Sequence, residues 1–370
     1  MVMQILLALE NSAKKLEMLT QRGRNFVIRK IPRKHSNEIV KKVNEFLDFF
    51  VIEPVSLDPF GIIKKIEHIL TLSESRFRSF VSKLAPNLDS EEKANLAMGL
   101  SGAISLNQLA KTVRHYVELI KKTKNLQLAI VLQMQLPLIE KISKALLNAT
   151  EALTNGWPIG DTIGALVAAD LMKGKANEIE EDTLISEEKI CGRKVYLIKA
   201  KGPGGRLGKL GKAVEKLVKR EKIAKIITVD AALKLEGEKT GSVAEGVGVA
   251  IGGIGVDRAY IESIATKKGI PLDSIVIKMS QEEALNPMKK EILEAKDNAI
   301  EKIKNSIMET RRKGKIIVVG VGNTCGVGNN QKDAKRAEEK IRAIAKMMEK
   351  REKEEKAKEK KGILQWLSGF

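Results

Sequence analysis

The hydrophobic period of this chain changes once, near Asn155, and that change limits what it can fold into. Before it, apolar residues recur three and four positions apart, the spacing that gathers them on one side of a helix. Ile39, Val43, Phe46 and Leu47 make one such stripe, and Ile62, Ile66 and Ile69 make another. After it, short β-branched runs alternate with helical ones, and glycines stand between them. The expected organisation is an α-helical domain over residues 1–154, an α/β domain over 155–330, and a charged terminal helix and tail over 331–370.

In the first half, prolines 54, 59 and 86 mark breaks. Asp89 with Glu92 three residues on has the pattern of a capping box opening a helix. Leu106–Leu119 and Ile139–Leu153 read as longer helices, with Pro137 at the start of the second. In the second half, Val195–Ala200, Ile223–Asp230, Ser274–Met279 and Ile316–Gly320 read as strands, and Leu207–Arg220 as a helix. Strand, crossover helix, strand implies a three-layer α/β domain with a mostly parallel sheet, whose ligands sit beyond the carboxyl ends of the strands. Residues 331–361 form a Lys/Glu/Arg-rich helical pattern with Ile341, Ile344, Met347 and Met348 on its apolar side. It reads as a solvated helix docked at its first turns, followed by an unstructured apolar terminus from Ile363.

Composition narrows the function classes. No stretch reaches the roughly 18 consecutive apolar residues of a membrane span, and the first residues lack the pattern of a secretory signal. The two cysteines, Cys191 and Cys325, have no CxxC spacing, which points to a reducing compartment, the cytoplasm, and away from structural zinc. The net charge of +19 comes from basic residues interleaved with glutamates, without a nucleic-acid-binding motif. A solvated charged surface is the plain reading, with nucleic acid or anionic lipid as the alternative partner. The Lys, Glu and Ile richness with few aromatics is of the thermophile type.

Two kinds of site stand out. Gly202-Pro203-Gly204-Gly205, with Lys209 shortly after, lies where a strand meets a helix, where backbone N–H groups can hold an anion. It lacks the spacing and the Ser or Thr of a Walker loop. A structural turn and an anion cradle made by Gly202, Gly204, Gly205 and Lys209 are equally good readings. The Gly246–Gly255 segment is expected to have no strand and helix around it of the dinucleotide-binding kind, so no nicotinamide cofactor is expected. All three histidines, His35, His68 and His115, fall in the helical half, which leaves acid–base work in the second half to carboxylates. Asp161 stands at a helix start and Asp230 at the carboxyl end of a strand, positions that suit an anion and a ligand crevice. The plainer role for each is a cap or turn carboxylate.

The whole chain, including Phe50-Val51-Ile52-Glu53-Pro54 and Val319-Gly320-Val321-Gly322-Asn323-Thr324, resembles an archaeal family, domain of unknown function 1512 (DUF1512). The family brings no activity with it. Its members often begin with a membrane segment, which implies membrane association in longer forms. Residues 157–279 more distantly resemble the germination protease and its relatives. Gly160-Asp161-Thr162-Ile163-Gly164-Ala165-Leu166-Val167 is similar to their D-x-x-G-P-x-V loop, and Thr228-Val229-Asp230-Ala231-Ala232-Leu233 to their I-D-A-L segment. The resemblance implies that Asp161 and Asp230 are the catalytic pair. Ala165 stands where that family has proline, and the V-G-V-G-N strand that comes first there comes late here. A circular permutation would explain the order and would set Asn323 and Thr324 beside the Asp161 loop as supporting residues. Hydrogenase maturation proteases share the fold and bind metal through carboxylates and a histidine, so a carboxylate-bound metal is the one cofactor this resemblance implies; no other is expected.

These readings converge on a hydrolase of the peptidase or amidase kind, with Asp161 and Asp230 facing each other and sharing a proton. The alternative is a non-catalytic binding protein for an anionic small molecule or nucleic acid, its helical half mediating assembly, a homo-oligomer included.

Overall fold

The computed structural model describes residues 2–32, 37–50, 61–253 and 255–367, with the side chains of residues 2, 355–356 and 358–367 left aside. The expected breaks at Pro54 and Pro59, the Val51–Pro54 motif, His35, and the side chains of the apolar terminus lie outside these residues; the backbone from Ile363 to Leu367, expected to be unstructured, continues the terminal helix.

The first half is helical throughout. Helices α1 (Val2–Lys30), α2 (Asn37–Phe46), α3 (Ile62–Leu84), α4 (Ser90–Thr123) and α5 (Leu126–Thr154) account for its described elements. Asp89 caps α4 as expected: its Oδ1 accepts the N–H groups of Glu91 and Glu92 at 2.8 Å, and the Glu92 carboxylate accepts the Asp89 N–H. Heptad-like spacing then buries Leu96, Leu100, Ala103 and Ile104 against Val27, Val43 and Val81, while Leu9, Leu16, Val113 and Val117 form a second cluster with Ala129 and Leu132.

Pro137 corrects one expectation. It lies inside α5, which starts eleven residues earlier at Leu126, just after the Asn125 cap. A proline within a helix removes one backbone donor, and the carbonyl left over belongs to residue i−4. That residue, Gln133, is exposed like Pro137 itself, so the bond is lost on the solvent side of the helix, where it costs least.

The second half is an α/β domain whose elements follow in the order α6 (Ile163–Leu171), β1 (Asn177–Glu180), β2 (Thr183–Ile190), β3 (Arg193–Ala200), α7 (Leu210–Arg220), β4 (Ile223–Leu233), β5 (Val243–Val247), α8 (Val256–Lys268), β6 (Leu272–Met279), α9 (Gln281–Leu285), α10 (Lys290–Glu309), β7 (Lys315–Gly320) and α11 (Gln331–Leu367). The strands form one mixed sheet in the order β1-β2-β3-β7-β4-β6-β5. The four central strands, β3, β7, β4 and β6, are mutually parallel, and antiparallel strands close both edges. The parallel strands are the ones whose runs, such as Ile-Ile-Val-Val in β7, are apolar on both faces, as strands covered on both sides must be. The edge strands carry charged residues and were not legible as strands in the sequence. Among them is β5, which with α8 brackets the Gly248–Gly255 loop, so that loop does stand between a strand and a helix.

Alternate residues of each central strand feed two cores. Val195, Leu197, Ile227, Val229, Ile316 and Val318 pack under α6, α10 and the first turns of α11; Tyr196, Ile198, Ile226, Ile317 and Val319 pack under α7 and α8. At roughly 1.5–3 kcal/mol for each fully buried aliphatic side chain, these two layers are the main source of the domain's stability. No helix among the described residues is long and apolar enough to cross a membrane.

Candidate active site

β4 and β7 lie side by side at the middle of the sheet, with Val229 paired to Gly320, the last residue of β7; β4 itself does not end at Asp230 as expected but continues to Leu233 along β6. Just beyond that row the Val321 N–H donates to the Val229 carbonyl at 2.9 Å, extending the pairing by one residue. The next residue on β4 is Asp230, and the chain after β7 continues as Gly322-Asn323-Thr324.

Asp161 reaches this edge from above. It sits in a single 3-10 turn, Gly160–Thr162, that leads straight into α6. The turn is tied down by the Gly160 N–H on the Asn286 carbonyl (3.0 Å) and the Met288 N–H on the Pro158 carbonyl (2.9 Å). Gly164 lets α6 approach: a Cβ there would overlap the carbonyl oxygens of both Val229 and Val321. Gly322 is the matching concession from the other side, with a φ of +113° and no room for a Cβ against the Asp161 carbonyl. The helix start is thus pressed onto the strand ends, and its carboxylate comes down beside Asp230.

The two carboxyls are held differently. Asp161 is partly exposed, and its Oδ2 accepts the Asn323 N–H at 2.8 Å. Asp230 is 4% exposed; its Oδ1 accepts the Ala231 N–H at 2.7 Å and its Oδ2 the Gly252 N–H at 3.1 Å. Burial pushes both above the usual carboxylate range, and the nearby Asp161 charge adds to the rise at Asp230, which reaches about 8. The pair therefore keeps a proton at neutral pH.

The glycine-rich loop after β5 covers Asp230. Ser274 Oγ donates to the Gly248 carbonyl at 2.7 Å, the Ala250 N–H lies 2.9 Å from Ser274 Oγ and 3.1 Å from Thr228 Oγ1, and the Gly252 N–H completes the row on Asp230. Polar residues on one face of β4 and β6 thus hold a flap over the buried carboxyl.

The supporting residues named from sequence come together around the following turn. Asn323 holds Asp161 through its backbone, and its side-chain Oδ1 accepts the Cys325 N–H at 2.8 Å. The Thr324 hydroxyl touches the carbonyls of Lys201, Gly204 and Arg206 at 2.8–3.2 Å, and the Thr324 N–H donates to the Arg206 carbonyl. The Cys325 thiol is buried, which pushes it up to about 12 and leaves it unreactive.

The glycine loop before α7 has its N–H groups engaged within the protein. Gly202 donates to Asn329 Oδ1, Gly204 to Glu91 Oε2 at 2.7 Å, and Gly205 to Asn95 Oδ1. Arg206 grips the same Glu91 carboxylate with both terminal nitrogens, and Lys209 pairs with Glu74 of α3 at 2.8 Å. The anion this loop holds is therefore a carboxylate of the helical domain, and the loop is the clasp between the two domains.

Sequence reasoning missed Lys199. It lies at the end of β3, fully buried, with Nζ donating to the Ala200 carbonyl and to Asn329 Oδ1, and burial pushes it down to about 7. Only its place in an otherwise apolar run, Val195 to Ala200, could have marked it. For a metal, the edge offers two aspartates; among the described residues no group of three or more His, Cys, Asp or Glu comes together to hold one. His68 and His115 are on α3 and α4.

Fold and site together define a class: a two-domain protein in which a helical domain is clasped to an α/β domain bearing two neighbouring carboxyls, Asp161 and Asp230, where the central strand β7 ends. Residues 1–156 match the family model described as "Protein of unknown function (DUF1512) N-terminal domain", and residues 159–328 the one described as "Domain of unknown function (DUF1512) C-terminal". The chain belongs to the DUF1512 family. The two matches meet in the short turn between α5 and the Asp161 loop. No curated protein and no solved structure matches it.

Proposed function

We propose that the protein is a hydrolase in which Asp161 and Asp230 act as a base and an acid on an amide bond, in a peptide or a small amide. The observation that carries this reading is that Asp230 is buried beside a second carboxyl, Asp161, an arrangement that pushes Asp230 up to about 8. Asp161, the more accessible of the two, takes a proton from water as its oxygen adds to the carbonyl carbon. Asp230 gives its proton to the leaving nitrogen as the C–N bond breaks. The products are an acid and an amine, and the proton gained by Asp161 restores Asp230 for the next turnover.

The likeness of the Asp161 and Asp230 segments to the germination protease supports the same roles. So does the strand order: β7 runs between β3 and β4, and the loop after it meets the Asp161 turn, as a circularly permuted relative of that fold would have it.

Asp161→Asn and Asp230→Asn should each remove cleavage when wild type and variants are incubated with a peptide mixture and the products read by mass spectrometry. Cleavage by either variant at the wild-type rate removes the proposal. Where cleavage is found, kcat/KM should fall on the alkaline side as Asp230 loses its proton near pH 8.

A further inference from the structure

A cavity of about 450 Å3 lies between the two domains, on the far side of the clasp loop from the aspartates. Its size is that of a small-molecule site, typically ~300–1,000 Å3. Its floor is apolar, built from Phe77 and Val81 of α3 and from Ala94, Ala97 and Met98 of α4. Leu207 faces them from the clasp loop and is 52% exposed. A leucine left open above an apolar recess is a surface that gains by being covered.

The charges in the wall decide what kind of molecule covers it. Four cations and three carboxylates line the cavity. Three of the cations are already neutralised: Arg78 by Glu181 and Asp182, Arg206 by Glu91, and Lys209 by Glu74. Lys93 is different. Its ammonium donates to the Pro86 carbonyl at 2.9 Å, and among the described residues it has no carboxylate partner. The hydroxyls of Ser73, Ser82 and Ser101 also line the space. Charge in and around the wall balances overall, since Arg78 has two carboxylates, but Lys93 is the one lining cation among the described residues that no carboxylate meets, and it stands beside an apolar floor.

We infer that this cavity binds a small amphipathic acid, with its apolar body on the α3–α4 floor under Leu207 and one anionic group at Lys93. The site is separate from the aspartates and does not depend on their being catalytic. It is nevertheless joined to them. Gly205, in the cavity wall, packs against the Asn323 side chain, and Arg206 and Thr324 exchange backbone and hydroxyl hydrogen bonds. Asn323 in turn holds Asp161.

Two fluorescent probes with the same apolar body test this on the full chain: anilinonaphthalene sulfonate, which is anionic, and N-phenylnaphthylamine, which is neutral. Wild type should bind the sulfonate saturably at one site. Lys93→Gln should weaken the sulfonate about 5–10-fold and leave the neutral probe within about twofold, since only the charge contact is lost. Ala97→Trp, which fills the floor, should weaken both at least tenfold. Leu207→Glu, an exposed change that adds a negative charge at the mouth, should weaken the sulfonate more than the neutral probe, and serves if Ala97→Trp does not fold. Asp161→Asn should change neither probe, which separates this site from the proposed chemistry. Absence of saturable binding to wild type overturns the inference. So does equal loss of both probes in Lys93→Gln, or wild-type affinity in a folded Ala97→Trp or in Leu207→Glu.

Discussion

The backbone N–H of Asn323 lies 2.8 Å from Oδ2 of Asp161, although 162 residues separate them in the chain. That bond joins the loop after β7 to the turn before α6, and both are seated on β4 beside Val229 and Asp230. Much of what can be tested about the site follows from how tightly these three segments are pressed together.

Gly164→Ala should be among the most damaging small substitutions in the molecule. The added methyl meets two backbone carbonyls, of Val229 and Val321, that belong to paired strand ends and cannot swing away. A cost of about 2–4 kcal/mol is expected. Chemical denaturation should show it as a lower midpoint at unchanged slope, and a midpoint like that of wild type would mean that α6 can lift off the sheet without penalty.

Asp230 makes the fold favour a protonated carboxyl. Below about pH 4 the folded and unfolded chains both hold the proton and the fold has its full advantage. As the pH rises toward 8 the unfolded chain ionises freely while the buried group does not, so stability declines through that window by up to about 5 kcal/mol. Asp230→Asn should remove this part of the decline and be the more stable protein at pH 8. Unfolding free energies at pH 5 and pH 8 for both proteins give the comparison directly; an identical pH dependence would show that Asp230 ionises normally.

Lys199 acts in the opposite direction and in a different window. Burial favours its neutral form, so the unfolded chain binds the extra proton between about pH 7 and the ordinary lysine range, and stability should rise with pH there. Lys199→Met keeps the side-chain volume and should flatten that rise while stabilising the protein below pH 7. Asn329 keeps its bonds to Gly202 in the variant, so the loop has a remaining anchor.

Glu91→Ala should loosen the clasp between the domains. It leaves the Arg206 guanidinium without its two-pronged partner and the Gly204 N–H without an acceptor. Removing one member of such a partly buried pair costs about 3 kcal/mol. Thermal unfolding should lose cooperativity, and limited proteolysis should cut near the 154–158 turn faster than in wild type. A single transition at the wild-type temperature would argue that the domains are held by their apolar contact alone.

Which segments became helix and which became parallel strand was determined by the sequence itself. Periodicity is a local property, and the stripes of Ile39, Val43 and Leu47 or the two-faced apolar run of β7 need no partner to be recognised. The Asp89 cap was equally local, since all its hydrogen bonds lie within three residues. Asp161 could be picked out because it stands at the start of a helix; Asp230 reads as the end of its strand, but β4 runs three residues further, to Leu233, and it is β7 that ends beside Asp230. The edge strands could not, because β2 and β5 carry charged residues whose strand form comes from pairing, with β3 and β6, and not from their own pattern. Pro137 misled for a related reason: a helix tolerates proline where the freed carbonyl meets water, and only the packing of α5 shows which side faces out. The strand order, the closeness of Asp161 to Asp230, and the engagement of the Gly204 amide by Glu91 were decided by tertiary structure alone. A period says which face of an element is apolar; it does not say which distant segment will cover it, and every one of these contacts joins residues from distant parts of the chain.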